Sequence, residues 1–147
     1  VKRVYYPYSE FVEDLKALVS KIDIEFDTII GVARGGLTIS HLLGEYYNIR
    51  RVFSINSIGY DDSERLDSID IFNTPELSGS SRVLIVDDIV DSGDTLNGVL
   101  ELLEDRYPNI EIYTASIFYK RGAVVKPNFY LREPDGWVDF FWSCDLG

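Results

Sequence analysis

Short apolar runs alternate along this chain with stretches of helical spacing. Phe11, Leu15, Leu18, Val19 and Ile22 recur as one face of a helix, with Ser9 placed to cap its start. Asp27 to Val32 (DTIIGV) is a compact run rich in β-branched residues, which predicts a buried strand. Gly35-Gly36 interrupts it, and helical spacing returns over Leu37 to Tyr47. Arg51 to Ser57 predicts a second strand. Arg82 to Val86 (RVLIV) is the clearest strand, ending in Asp87-Asp88. A helix follows from about Thr95 to Asp105 and stops before Pro108. Ile110 to Phe118 predicts another strand, and Asn128 to Leu131 a further short one. Strands alternating with helices predict an α/β fold, a mainly parallel twisted sheet flanked by helices.

Ile58 to Ser81 departs from this alternation. It is Ser-rich, carries Asp61, Asp62, Glu64, Asp67, Asp70 and Glu76, and has no sustained period. Irregular chain of that length inside a compact domain is usually a functional flap or disordered. With no internal repeat and no second core, residues 1–147 are expected to form a single domain.

Composition narrows the function. Hydrophobic residues make up 46%, as in globular chains. No apolar run approaches the roughly 20 residues needed to span a membrane, and no N-terminal stretch reads as a signal peptide. Cys144 is the sole cysteine, so no internal disulfide can form, which suits the reducing cytoplasm. It is expected as a small packed residue. A formal net charge of −11 argues against nonspecific nucleic-acid binding, which draws on basic surface. An anionic ligand would have to be held locally, by backbone amides, a few cations and a metal ion.

The chemistry concentrates in Val83 to Leu96 (VLIVDDIVDSGDTL). An apolar strand delivers Asp87 and Asp88 at its end, and a short loop with Ser92, Gly93 and Thr95 leads into a helix. A Gly-containing loop before a helix can aim several N–H groups at one phosphate. The bland alternative is a strand ending in a solvated acidic turn. The spacing matches neither a Walker loop nor a dinucleotide fingerprint. A second strand, Gly-rich loop and helix occur at Gly31 to Leu37 (GVARGGL), which by itself is either a common turn or a site. Lys120 follows a predicted strand, and Trp137 to Trp142 (WVDFFW) lies near the end. Alone, these read as a solvated lysine and core tryptophans, or as a ligand platform.

Val83 to Thr95 resembles the signature of the type I phosphoribosyltransferases at every constrained position: four apolar residues, two acids, two apolar residues, a variable position, then Ser92-Gly93-x-Thr95. The resemblance runs from about Asp27 to Trp142. It implies that fold, with a small hood including about 119–147 and a flap at about 58–81. It implies that Asp87 and Asp88 face the ribose hydroxyls and a Mg2+ ion, and that Asp91, Ser92, Gly93, Asp94 and Thr95 hold the 5′-phosphate. Asp94 would then either point away from the phosphate or cap the helix. Arg34, Gly35 and Gly36 would hold pyrophosphate, in a loop where the family often has a cis peptide, here Ala33-Arg34.

The base region is similar to the xanthine-guanine enzymes of that family. By that match Lys120 donates to the purine 6-oxygen, Trp137 stacks on the ring, and the Val138 backbone meets the 2-position. Phe141 stands where relatives often have Pro, which leaves the hood geometry open. Asp145 is read as solvated rather than as a metal ligand, and His41 as non-catalytic. The implied activity is transfer of a phosphoribosyl group from 5-phosphoribosyl 1-pyrophosphate to guanine, xanthine or hypoxanthine, with Asp91 as general base. The alternatives are a transferase for another nucleobase, or a sensor of the sugar pyrophosphate, although such regulators usually carry a basic DNA-binding domain. The expected partners are these small molecules, not nucleic acid or membrane, and relatives are dimers or tetramers.

Overall fold

A computed structural model describes residues 2–60 and 68–147. The elements are β1 (Arg3–Tyr6), α1 (Tyr8–Lys21), β2 (Thr28–Ala33), α2 (Gly36–Tyr47), β3 (Val52–Tyr60), β4 (Ser68–Phe72), β5 (Arg82–Val90), α3 (Asp94–Arg106), β6 (Glu111–Tyr119) and β7 (Trp137–Phe140). Five strands form one sheet in the order β4-β3-β2-β5-β6, and β1 pairs with β7 in a separate ribbon. β2, β3, β5 and β6 are parallel, and β4 is an antiparallel edge.

The central strands are apolar on both faces because both faces are covered. Leu84 and Val86 pack into one core with Phe11, Leu18, Ile39 and Leu43 of α1 and α2. Val83 and Ile85 point the other way and pack with Leu96, Val99 and Leu103 of α3. The hood is tied to this body by a buried polar contact. The hydroxyl of Tyr6 donates to Asp14 at 2.6 Å, and Arg132 binds the other oxygen of the same carboxylate.

Several local expectations are corrected. Ser9 lies within α1 and caps nothing, since the extended Pro7 starts the helix at Tyr8. β5 does not end at Asp87-Asp88 but runs on to Val90. Asn128 to Leu131 forms only isolated bridges beside β6. There the Asn128 carboxamide, not its backbone, accepts the Thr114 N–H, and the N–H groups of Leu131 and Arg132 converge on Ile117 O. Cys144 is exposed, because the chain leaves the ribbon after Phe140 and runs out along the surface. Part of Ile58 to Ser81 is regular: β3 extends to Tyr60, and β4 returns against it. The flap's acidic Asp61, Asp62, Glu64 and Asp67 lie outside the described residues. No helix among the described residues is long and apolar enough to cross a membrane.

Candidate active site

The chain leaves β2 for β3 on one side of the sheet, and later builds β5 and β6 on the other. The crevice beyond the carboxyl ends of β2 and β5 is therefore the topological switch point, where open α/β sheets bind ligands. The two Gly-containing loops leave from those ends.

β2 delivers its buried residues to Ala33, the Ala33-Arg34 peptide is cis, and α2 begins at Gly36. Both glycines are dictated by crowding from β5. A side chain on Gly36 would collide with the Val86 carbonyl, and one on Gly35 with the Asp88 carboxylate. Arg34 is exposed and makes no ion pair with any described residue.

β5 continues past the acids, and the Asp87 and Asp88 carboxyls meet side chain to side chain. Asp88 lines the cleft and Asp87 does not. Burial pushes the Asp87 carboxyl well above its usual range, and the Asp88 charge adds to this. Burial raises Asp88 too, against hydrogen bonds that favour its ionised form, among them the Ile89 N–H at 2.7 Å. Among the described residues no Lys, Arg or His forms an ion pair with either. Two adjacent half-buried acids without a cation suit a bound divalent ion. No cluster of three protein ligands occurs among the described residues, so substrate oxygens and water would have to complete the shell.

After β5, Gly93 has a left-handed φ of 85°, and a side chain there would press on the Val124 and Val125 N–H groups at 3.0 Å. The Asp94 N–H donates to Ser92 Oγ at 3.2 Å. Asp94 is the first residue of α3, and Gly93 holds the capping position. Thr95 and the remaining first-turn N–H groups stand at a helix start, the end that attracts anions.

One cleft of about 810 Å³ gathers Arg34, Gly35, Asp88, Asp91, Lys120, Trp137 and Val138. That volume suits a small-molecule site. Gly36, Asp87 and Ser92 to Thr95 do not line it; Ser92 to Thr95 continue directly from Asp91 into α3. Lys120 Nζ lies 3.5 Å from Asp91 Oδ1. Trp137 is 60% exposed, which excludes a core role. Phe141 does not line the cleft and packs on Tyr8 and Phe11, at ring distances of 5.4 and 5.3 Å. Asp145 is exposed and accepts the Gly147 N–H at 2.9 Å. His41 borders a separate cavity of about 490 Å³ beside α2, away from these groups.

The sequence reading did not name Ile89, Pro134, Gly136, Asp139, Phe140 or Ser143 as cleft residues. Asp139 alone carried a signal, as an acid inside the aromatic Trp137 to Trp142 segment.

Residues 8–146 match the family model described as a phosphoribosyl transferase domain. The structure is similar to the Helicobacter pylori xanthine-guanine-hypoxanthine phosphoribosyltransferase, with a TM-score of 0.90 and 36% identity over 99% of this chain and 96% of that one. It is also similar to a purine phosphoribosyltransferase from Pyrococcus horikoshii, with a TM-score of 0.79 and 28% identity over 95% and 93% of the two chains. A xanthine-guanine phosphoribosyltransferase from Cereibacter sphaeroides is 28% identical over 99% of this chain and 89% of its own length. On its signature loops, its fold and the extent of these matches, the chain belongs to the phosphoribosyltransferase family.

Proposed function

We propose that this enzyme transfers the phosphoribosyl group of 5-phosphoribosyl 1-pyrophosphate to a 6-oxopurine, releasing pyrophosphate. The observation that carries this reading is the Asp91–Lys120 pair at 3.5 Å, in the same cleft as exposed Trp137. A 6-oxopurine presents N7 and the 6-oxygen as neighbours on one edge. Lys120 Nζ donates to the 6-oxygen, and Asp91 accepts the N7 proton, so the substrate edge takes the place of the direct ion pair. A 6-amino group would put a donor against a cation, which disfavours adenine.

Trp137 offers an aromatic face to the ring, and the Val138 backbone lies beside it for the 2-substituent. As the purine nitrogen attacks the anomeric carbon, the bond to pyrophosphate breaks and the ribose gains oxocarbenium character. Loss of the N7 proton to Asp91 keeps the attacking base electron-rich. Arg34 and the N–H groups of the Gly35-Gly36 loop accept the departing charge. Ser92 to Thr95, at the start of α3, anchor the 5′-phosphate. Mg2+ held by Asp88 and Asp87 would offset charge on the sugar pyrophosphate.

A sensor of the sugar pyrophosphate would have no use for the Asp91–Lys120 pair beside Trp137. The enzyme works in the cytoplasm as a dimer or tetramer, and exposed Tyr46, Ile58 and Phe72 supply apolar surface for such an assembly to bury. The test is pyrophosphate release with guanine, xanthine, hypoxanthine, adenine, orotate and uracil. A 6-oxopurine should be best, and adenine or a pyrimidine as the best substrate refutes the assignment.

A further inference from the structure

The cleft wall that carries Trp137 is held from behind by the first strand of the chain. β1 and β7 pair in parallel, with Arg3 beside Trp137 and Tyr5 beside Asp139. Side chains alternate along a strand, so Arg3, Tyr5, Trp137 and Asp139 share one face of the ribbon. Tyr6 and Phe140 occupy the other face and are buried. On the open face Arg3 grips the Asp139 carboxylate with two bonds, Nε to Oδ2 at 3.1 Å and Nη2 to Oδ1 at 2.7 Å. The same guanidinium lies 5.9 Å from the centre of the Trp137 ring. Trp137 and Asp139 line the cleft, and Arg3 does not.

Stability does not account for this arrangement. The two side chains keep 65% and 37% of their exposure, and exposed ion pairs add little because water competes for both partners. The geometry has two other consequences. The bidentate fork fixes the plane of the guanidinium, which sets a cation against the Trp137 ring and limits how that ring can turn. It also neutralises Asp139, which would otherwise be a further unpaired acid in a cleft that must accept an electron-rich base.

We infer that Arg3 is a positioning residue for purine binding, acting through Trp137 and Asp139 without touching the base. The inference rests on the 6-oxopurine reading above.

The test is steady-state kinetics of the full chain carrying Arg3→Gln, Arg3→Lys or Asp139→Asn, with Trp137→Ala as reference. Arg3→Gln should raise KM for the base on the order of three- to tenfold. It should leave kcat and KM for the sugar pyrophosphate near wild type, with Tm moving by no more than about 2 °C. Arg3→Lys keeps the charge but not the fork and should fall between. Asp139→Asn should act in the same direction as Arg3→Gln. In a Trp137→Ala background, Arg3→Gln should add a smaller further rise. An unchanged KM for the base, or equal losses toward both substrates that follow a fall in Tm, overturns the role. If the wild type transfers to no 6-oxopurine, the functional reading fails and takes this inference with it. An active wild type with an unaffected Arg3→Gln variant removes the inference alone.

Discussion

Gly35→Ala isolates the contact between the two loops of the site. Gly35 has φ −58° and ψ −29°, a backbone any residue adopts, so alanine brings no torsional strain. Its methyl group, however, would overlap the Asp88 carboxylate, lying 2.7 Å from even the more distant oxygen. Asp88 cannot swing away freely, because that oxygen accepts the Ile89 N–H at 2.7 Å. Overpacking of this kind costs about 1–3 kcal/mol, and losing a hydrogen bond to a charged group adds about 1.5 kcal/mol. A loss of roughly 2.5–4.5 kcal/mol in a chain of this size lowers Tm by roughly 7–14 °C. Displacing Asp88 should also raise KM for the sugar pyrophosphate and the magnesium requirement, with KM for the base unchanged. Calorimetry and kinetics on Gly35→Ala, Asp88→Ala and the double variant close the cycle. The double variant should recover the stability of Asp88→Ala but not the activity. A double variant as unstable as Gly35→Ala, or a Gly35→Ala protein with wild-type Tm and KM, refutes the reasoning.

Two further outcomes follow from the same geometry. Asp91→Asn should lower kcat by roughly 10²- to 10⁴-fold while leaving affinity for the sugar pyrophosphate nearly intact, measured by single-turnover kinetics and direct binding; equal losses in both would make Asp91 a ligand contact and not the base. Asp87 and Asp88 have raised pKa values in the folded protein, so it binds more protons than the unfolded chain between the ordinary carboxylate range and those raised values. Stability of the metal-free protein should therefore fall as pH rises through that window. Asp88→Asn should then raise Tm at neutral pH, with a gain that disappears below the ordinary carboxylate range; a gain independent of pH would contradict the assigned cause.

The elements legible in the sequence are those that carry their own period. β2 and β5 are covered on both faces, so DTIIGV and RVLIV read as strands without knowledge of their neighbours. β1 had no such signal, since RVYY becomes a strand only by pairing with β7. β4 carries a short alternation of its own. Ile69 and Ile71 alternate with Ser68 and Asp70, but the acidic stretch before them made the whole region look irregular. Ile71 in fact packs into the core on the α3 side of the sheet. Two adjacent acids after an apolar run read as the end of a strand. Here Asp87 and Asp88 stay in it, since β6 continues to pair as far as Tyr119.

The same distinction divides the site. The half proposed to hold phosphate is made of contiguous loops, Arg34 to Gly36 and Asp87 to Thr95. Its chemistry depends on residue types at fixed short spacing, and that is what a sequence displays. The half proposed to hold the base is assembled from positions far apart in the chain. Arg3 and Asp139 are separated by 136 positions, and nothing near either one indicates the other. Trp137 showed itself as an aromatic in a suggestive segment, but its exposure and its contact with Arg3 depend on the β1–β7 register. A one-residue slip in that register would turn Arg3 to the opposite face, away from Trp137 and Asp139. On the proposed reading, base recognition depends on the β1–β7 pairing, which no local spacing displays, whereas Lys120, Trp137 and Val138 were legible as residue types within their own segments.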